Sequence, residues 1–204
     1  MFRTAKSLPT ALAVIAVTGL ASVASAQPSL VQDQTTCSAV TGSGYTPQQQ
    51  VDACTRLIQS GRMGQDDVAM AYYNRGRAWV DANDNAKAVT DYTQAITLRP
   101  VYPIAFYNRG TAYNHLERYD DAIRDFTQAI AQRSGYVNAY VNRGNAYAFS
   151  GRHAEAIADY NEAIRLNPQL QQAWNNRGIV HRRMGNTAQA NADQAEARRL
   201  SAAQ

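Results

Sequence analysis

One tripeptide sets the terms on which this chain can fold. Asn-Arg-Gly occurs as Asn74-Arg75-Gly76, Asn108-Arg109-Gly110, Asn142-Arg143-Gly144 and Asn176-Arg177-Gly178, each copy 34 residues after the last. A fixed period of this length belongs to stacked repeats, in which one unit cannot bury its apolar face alone and needs a neighbour against it. Read outward from the tripeptide, the units run over residues 69–102, 103–136, 137–170 and 171–204. What precedes residue 69 is then an address label and a cap for the array.

Each unit carries two amphipathic helical patterns. In the first, Tyr72, Phe106, Tyr140 and Trp174 fill one slot, and Trp79, Tyr113, Tyr147 and His181 fill another seven residues on. Gly76, Gly110, Gly144 and Gly178 lie between them. A glycine inside a helix costs about 1 kcal/mol relative to alanine, so four at one slot require a packing reason. The expected one is close approach, with no room for a side chain where a neighbouring helix crosses. In the second pattern Ala88, Ala122, Ala156 and Ala190 recur with Ala95, Ala129, Ala163 and Ala197, flanking Tyr92, Phe126 and Tyr160. Pro100 and Pro168 close two of the units, where a helix has to stop. The expectation is an all-α solenoid of four helix-turn-helix pairs.

Residues 1–26 have the form of a secretory signal. Arg3 and Lys6 give a charged start, residues 8–23 are mostly apolar, and Ala24-Ser25-Ala26 supplies small residues before Gln27. The apolar run is broken by Pro9, Thr18 and Gly19 and is shorter than the roughly 20 residues a membrane-spanning helix needs. A mature chain from Gln27 in the periplasm, with no integral membrane segment, is therefore expected. Residues 27–46 are polar and read as an irregular lead-in. Residues 48–60 then read as one capping helix, with Val51, Cys54, Leu57 and Ile58 on one face and Gly61 ending it. One 34-residue step back along the frame, Cys54 takes the alanine slot and Ile58 the aromatic slot. The only cysteines are Cys37 and Cys54, and in an oxidising compartment an even pair defaults to a disulfide. The alternative, a reactive thiol, lacks a CxxC spacing or a nearby histidine.

Composition excludes some partners. Removing the first 26 residues takes away Arg3 and Lys6 and no acid, leaving 18 bases against 16 acids, net +2. That balance gives no concentrated basic face for nucleic acid. Lys87 is the only lysine left, so the positive charge is arginine, whose planar fork suits fixed carboxylate pairs.

The unit resembles the tetratricopeptide repeat. Its aromatic, glycine, alanine and closing proline slots agree in order over residues 69–204, about two-thirds of the chain. Some slots depart from the pattern. Arg75, Arg109, Arg143 and Arg177 replace the usual leucine before the glycine, Ser134 replaces a proline, and Gln132 stands where Leu98, Leu166 and Leu200 sit. In the fourth unit Gln194 and His181 replace core aromatics, as suits a terminal cap facing water.

Two repeated polar sets are the candidate functional residues. Asp91, Asp125, Asp159 and Asp193 each follow their arginine by 16 residues, which implies contact in all four units. Read structurally, these are arginine–carboxylate bridges; the other reading has the arginines bind an acidic ligand. The resemblance implies that the first helices line a concave groove, with Asn74, Asn108, Asn142 and Asn176 forming a ladder along it. Tyr73, Arg77, Tyr107, Thr111, Val141, Asn145, Asn175 and Ile179 would flank that ladder. An amide donates and accepts, so such a ladder can hold a peptide backbone without reading its sequence. The other reading is that the asparagines satisfy only local backbone or water. A carboxylate clamp of the type that holds chaperone C-termini is not matched, since of Tyr73, Arg77, Asn108, Asn138 and Asn142 only Asn108 fits. His115, His153 and His181 are scattered, and no metal-ligand, nucleophile or phosphate-loop motif is present, so neither an enzyme nor a cofactor is expected.

The expected function is binding of a protein or extended peptide in the groove. A self-assembling scaffold and a cell-wall glycan accessory are the rivals. The cap region, residues 27–68, carries net −2 and the last unit net +3, which allows weak head-to-tail association of an otherwise monomeric protein.

Overall fold

A computed structural model describes residues 29–40 and 42–202; the expected leader, residues 1–26, lies outside them. Ten helices are found among the described residues. They are α1 Leu30–Ser38, α2 Pro47–Gln59, α3 Gln65–Asp81, α4 Asn85–Leu98, α5 Pro103–His115, α6 Tyr119–Gln132, α7 Val137–Phe149, α8 His153–Leu166, α9 Gln171–Arg183 and α10 Thr187–Ala202. The pairs α3–α4, α5–α6, α7–α8 and α9–α10 are the four expected units.

The small residues set the spacing within each pair. A Cβ on Gly76 would lie 2.7 Å from the Tyr92 ring, on Gly110 2.9 Å from Phe126, and on Gly144 2.7 Å from Tyr160. The second-helix aromatic thus lies flat over the first-helix glycine, which is the packing reason for three of the four glycines. In the last unit Gln194 takes the aromatic's place, and Gly178 instead faces Asp193 Cβ at 3.1 Å and the Ala190 carbonyl at 3.2 Å. Ala88, Ala95, Ala122, Ala129, Ala156 and Ala163 have no exposed surface, so the helices meet at their backbones. The turns within the units also repeat. Asn83, Glu117, Gly151 and Gly185 occupy one left-handed position, costly for Glu117 and free for glycine.

The lead-in departs from expectation. Residues 30–38 are helical, so the cap is a fifth helix pair, α1–α2, where one capping helix after an irregular lead-in was expected. Ser29 caps α1 by accepting from the Gln32 amide. Too few apolar residues recur along α1 for periodicity to show it. Tertiary contacts hold it instead: the Cys37–Cys54 disulfide, with Cα atoms 4.9 Å apart, and a buried Asp33 gripped by Arg56.

Consecutive helices pack along the whole array. In addition α1 touches α3, α3 touches α5, α5 touches α7 and α7 touches α9, while the second helices do not touch one another. The first helices are therefore on the inside of the curve, and α3, α5, α7 and α9 line its groove.

Candidate functional site

The arginine of each unit lies between two second helices. Nε and Nη2 of Arg75, Arg109, Arg143 and Arg177 donate to both carboxylate oxygens of Asp91, Asp125, Asp159 and Asp193 at 2.6–2.9 Å. Nη1 reaches back to the preceding unit, donating to the hydroxyls of Thr55, Thr93 and Thr127 and to Asn161 Oδ1. The four aspartates are buried, and each guanidinium rests on an aromatic ring, Tyr72, Phe106, Tyr140 or Trp174. Burial opposes the charge on Arg109 and Arg143, yet pairing with Asp125 and Asp159 holds both above the ordinary arginine value. The same burial pushes the Asp125 and Asp159 carboxyls upward, and their arginines pull them part of the way back. These arginines are fully engaged within the protein, which favours the structural reading over an acidic ligand.

The asparagines lie on the groove side, and three of them also reach back one unit. Asn108 Nδ2 donates to the Tyr73 hydroxyl and Asn142 Nδ2 to the Tyr107 hydroxyl, each at 3.0 Å. Asn176 Nδ2 donates to Asn145 Oδ1 at 2.9 Å, and the Tyr160 hydroxyl donates to that same oxygen at 2.8 Å. Burial raises the Tyr73 and Tyr107 phenols, so each stays neutral and able to accept from its amide. Asn74 differs: it lines a hollow of about 240 Å³ between α1 and α3, beside Gln34, Met63 and Met70, with no side-chain hydrogen bond among the described residues. The structure thus brings Tyr73, Tyr107 and Asn145 into contact with the row. The nitrogens of Asn108, Asn142 and Asn176 are committed internally, and their oxygens accept no hydrogen bond among the described residues.

The gaps between successive first helices differ along the groove. Between α3 and α5 the gap is polar, about 180 Å³, and lined by Arg77, Asp81, Asn108 and Thr111 over Val80 and Tyr92. Between α5 and α7, Asn114 Nδ2 reaches the Asn142 carbonyl at 3.4 Å. Between α7 and α9 the equivalent gap widens to about 300 Å³, and Ala148, Phe149, Ile179 and Val180 make it largely apolar, with Arg183 beside them. Sequence reasoning missed Phe149 and Arg183. Their signal was register: they share one slot with Asp81 and His115.

The described residues contain no cluster of histidine, cysteine or acidic groups that could hold a metal, and no helix long and apolar enough to cross a membrane. His115, His153 and His181 lie in separate units.

Two tetratricopeptide-repeat family models match the sequence, one over residues 73–137 and one over residues 137–170. The chain is built of tetratricopeptide repeats. Among solved structures, MamA from Desulfovibrio magneticus RS-1 is similar at a TM-score of 0.73 and 20% identity, covering 80% of this chain and 88% of that one. YrrB, described as a tetratricopeptide-repeat protein with an unusual peptide-binding site, aligns with a TM-score of 0.67 and 19% identity over 76% of this chain and 77% of its own. The first such domain of Spaghetti, solved with the HSP90 peptide SRMEEVD, aligns with a TM-score of 0.57 and 25% identity over 59% of this chain and 95% of its own. A sequence search of curated proteins finds no match.

Proposed function

We propose that this protein is an exported interaction module that holds an extended stretch of a partner polypeptide along the inner face of α3, α5, α7 and α9. The asparagine row carries the reading. An internal hydrogen bond orients the amides of Asn108, Asn142 and Asn176, leaving their oxygens as regularly spaced acceptors for backbone N–H groups. Peptide binding by the Spaghetti domain and by YrrB supports the same use of the fold. Export is supported by the charged start, apolar stretch and Ala24-Ser25-Ala26 site.

The test is a crosslinked pull-down from the cell envelope, followed by binding of the captured segment to variants. Asn108→Ala with Asn142→Ala should weaken binding by roughly the product of two losses of about two- to tenfold each. Tyr107→Phe removes the internal bond but keeps the amide, and should leave binding within about twofold. A folded double variant that binds like wild type places the function on another face. Intact mass from the same fraction should show a chain starting at Gln27, and retention of residues 1–26 sinks export.

A further inference from the structure

The repeat supplies its own control for what the groove selects. Equivalent gaps separate successive first helices; that between α3 and α5 is polar, whereas that between α7 and α9 is walled mainly by apolar side chains. Ile179 stands in the slot of Arg77, Thr111 and Asn145, and Phe149 in that of Asp81 and His115. Ile179 is 40% exposed and Phe149 63%, which is costly surface to leave in water on a chain that buries small alanines completely. Phe149 does not swing freely, because its ring stacks on Tyr119 with centroids 5.6 Å apart. The wall is thus set in place before any ligand arrives.

Two polar groups of this cavity, Asn145 and Arg183, offer donors, while Asn176 keeps its oxygen as an acceptor for the backbone of the bound segment. Asn145 Oδ1 already accepts from both the Tyr160 hydroxyl and Asn176 Nδ2, which occupies its lone pairs and leaves its own –NH2 to donate. Arg183, one helical turn beyond Ile179 on α9, has donors only and no carboxylate partner among the described residues. Arg62, Arg99, Arg133 and Arg182 also lack a carboxylate among the described residues, but it is Arg183 that lines this cavity, whereas the seam arginines Arg75, Arg109, Arg143 and Arg177 all hold one. Burial pushes the Tyr160 phenol on the cavity floor upward, and the nearby charge of Arg183 offsets part of that rise. Apolar walls, a spare amide donor and an uncompensated guanidinium at the rim complement an apolar side chain with an anionic group beside it.

We infer that the α7–α9 cavity is the specificity site of the groove, and that it takes an apolar side chain of the bound polypeptide with an aspartate or glutamate next to it paired to Arg183. This rests on the peptide-groove reading above. A side-chain carboxylate fits better than a chain end. The asparagine row continues past the cavity to Asn142 and Asn108, so the bound segment passes over it, and the exposed Arg183 meets what projects at the rim.

The test uses short fluorescein-labelled peptides of serine, asparagine and glycine carrying a central Leu-Glu pair, with polarisation for affinity and amide NMR shifts for location. Replacing the peptide leucine with serine should weaken binding by about tenfold or more, the worth of one buried aliphatic side chain. Replacing its glutamate with glutamine should weaken binding by about two- to fivefold, and Arg183→Gln should erase that difference. Ile179→Thr, which installs the residue found in the second unit's slot, should remove the leucine preference while the melting curve stays put. Arg77→Gln, in the polar gap, should leave both preferences intact. A leucine preference that survives Ile179→Thr, or a glutamate preference that survives Arg183→Gln, overturns the assignment. So does tighter binding of a peptide that ends in leucine with a free carboxylate. If peptides bind with no preference, this inference alone fails; if none shifts the amide signals of Asn108, Asn142 or Asn145, the groove reading fails with it.

Discussion

The seam of arginine–aspartate pairs and the row of asparagines have the same period and come from the same tripeptide, yet they behave differently along the array. The seam is uniform: four bidentate pairs of nearly equal geometry, each guanidinium also bonded to the preceding second helix. The row changes from unit to unit. Asn108 and Asn142 hold tyrosines, Asn176 holds Asn145, and Asn74 holds nothing among the described residues. Burial explains the contrast. A buried ion pair cannot lose one partner cheaply, because the survivor keeps its desolvation cost and loses its compensation. A half-exposed amide at a groove wall can change partners at small cost, so chemical variety accumulates where a ligand would touch.

If that contrast is right, the largest loss of stability comes from breaking the seam. Asp125→Ala should cost about 3–5 kcal/mol in denaturant unfolding, since it strands Arg109, while replacing Arg109 and Asp125 together by leucine should cost much less. An exposed pair is the control: Glu155→Ala, which loses its partner Arg152 and an exposed contact at the start of α8, should cost no more than about 1 kcal/mol. Next comes the cap, where Leu57 stands in the slot of the seam aspartates and the disulfide does the holding. Cys54→Ala should cost about 2–4 kcal/mol, and a value well under 1 would mean the cap docks without its staple. Within the row, Asn142→Ala and Tyr107→Phe should each cost about 1 kcal/mol, and the pair together no more than one of them, because they share one bond. Fully additive losses would remove that bond from the account. Smallest is Asn74→Ala, within about 0.5 kcal/mol. A loss equal to that of Asn142→Ala would make the row as uniform as the seam.

Much of this was legible in the sequence because it repeats. Four arginines each 16 residues from an aspartate imply contact without any structure, and four glycines in one helical slot imply something lying on them. The structure supplied the identity of that something, the rings of Tyr92, Phe126 and Tyr160. Helix α1 was not legible, because it lacks a periodic apolar face and depends on partners 17 and 23 residues away, Cys54 and Arg56. The internal partners of the asparagines were missed for another reason. Tyr73 and Tyr107 lie 35 residues before Asn108 and Asn142, one more than the period, so the contact crosses from one unit to the next. Reading units in isolation hides it. The apolar cavity was half visible: Ile179 was placed on the groove, but Phe149 and Arg183 lie near the end of their helices, beyond the slots that the repeat pattern defines.

The backward reach of the arginines also gives the array an order in time. A chain made from its N-terminus presents Thr93 before Arg109, and Arg109 before Asp125. The incoming first helix therefore finds its acceptor on a helix already in place, and its own aspartate arrives later to close the fork. The asparagine of each unit likewise meets a tyrosine or amide that was synthesised earlier. Each unit can then serve as template for the next, and folding needs contacts only between neighbours, with no long-range search between distant parts of the chain.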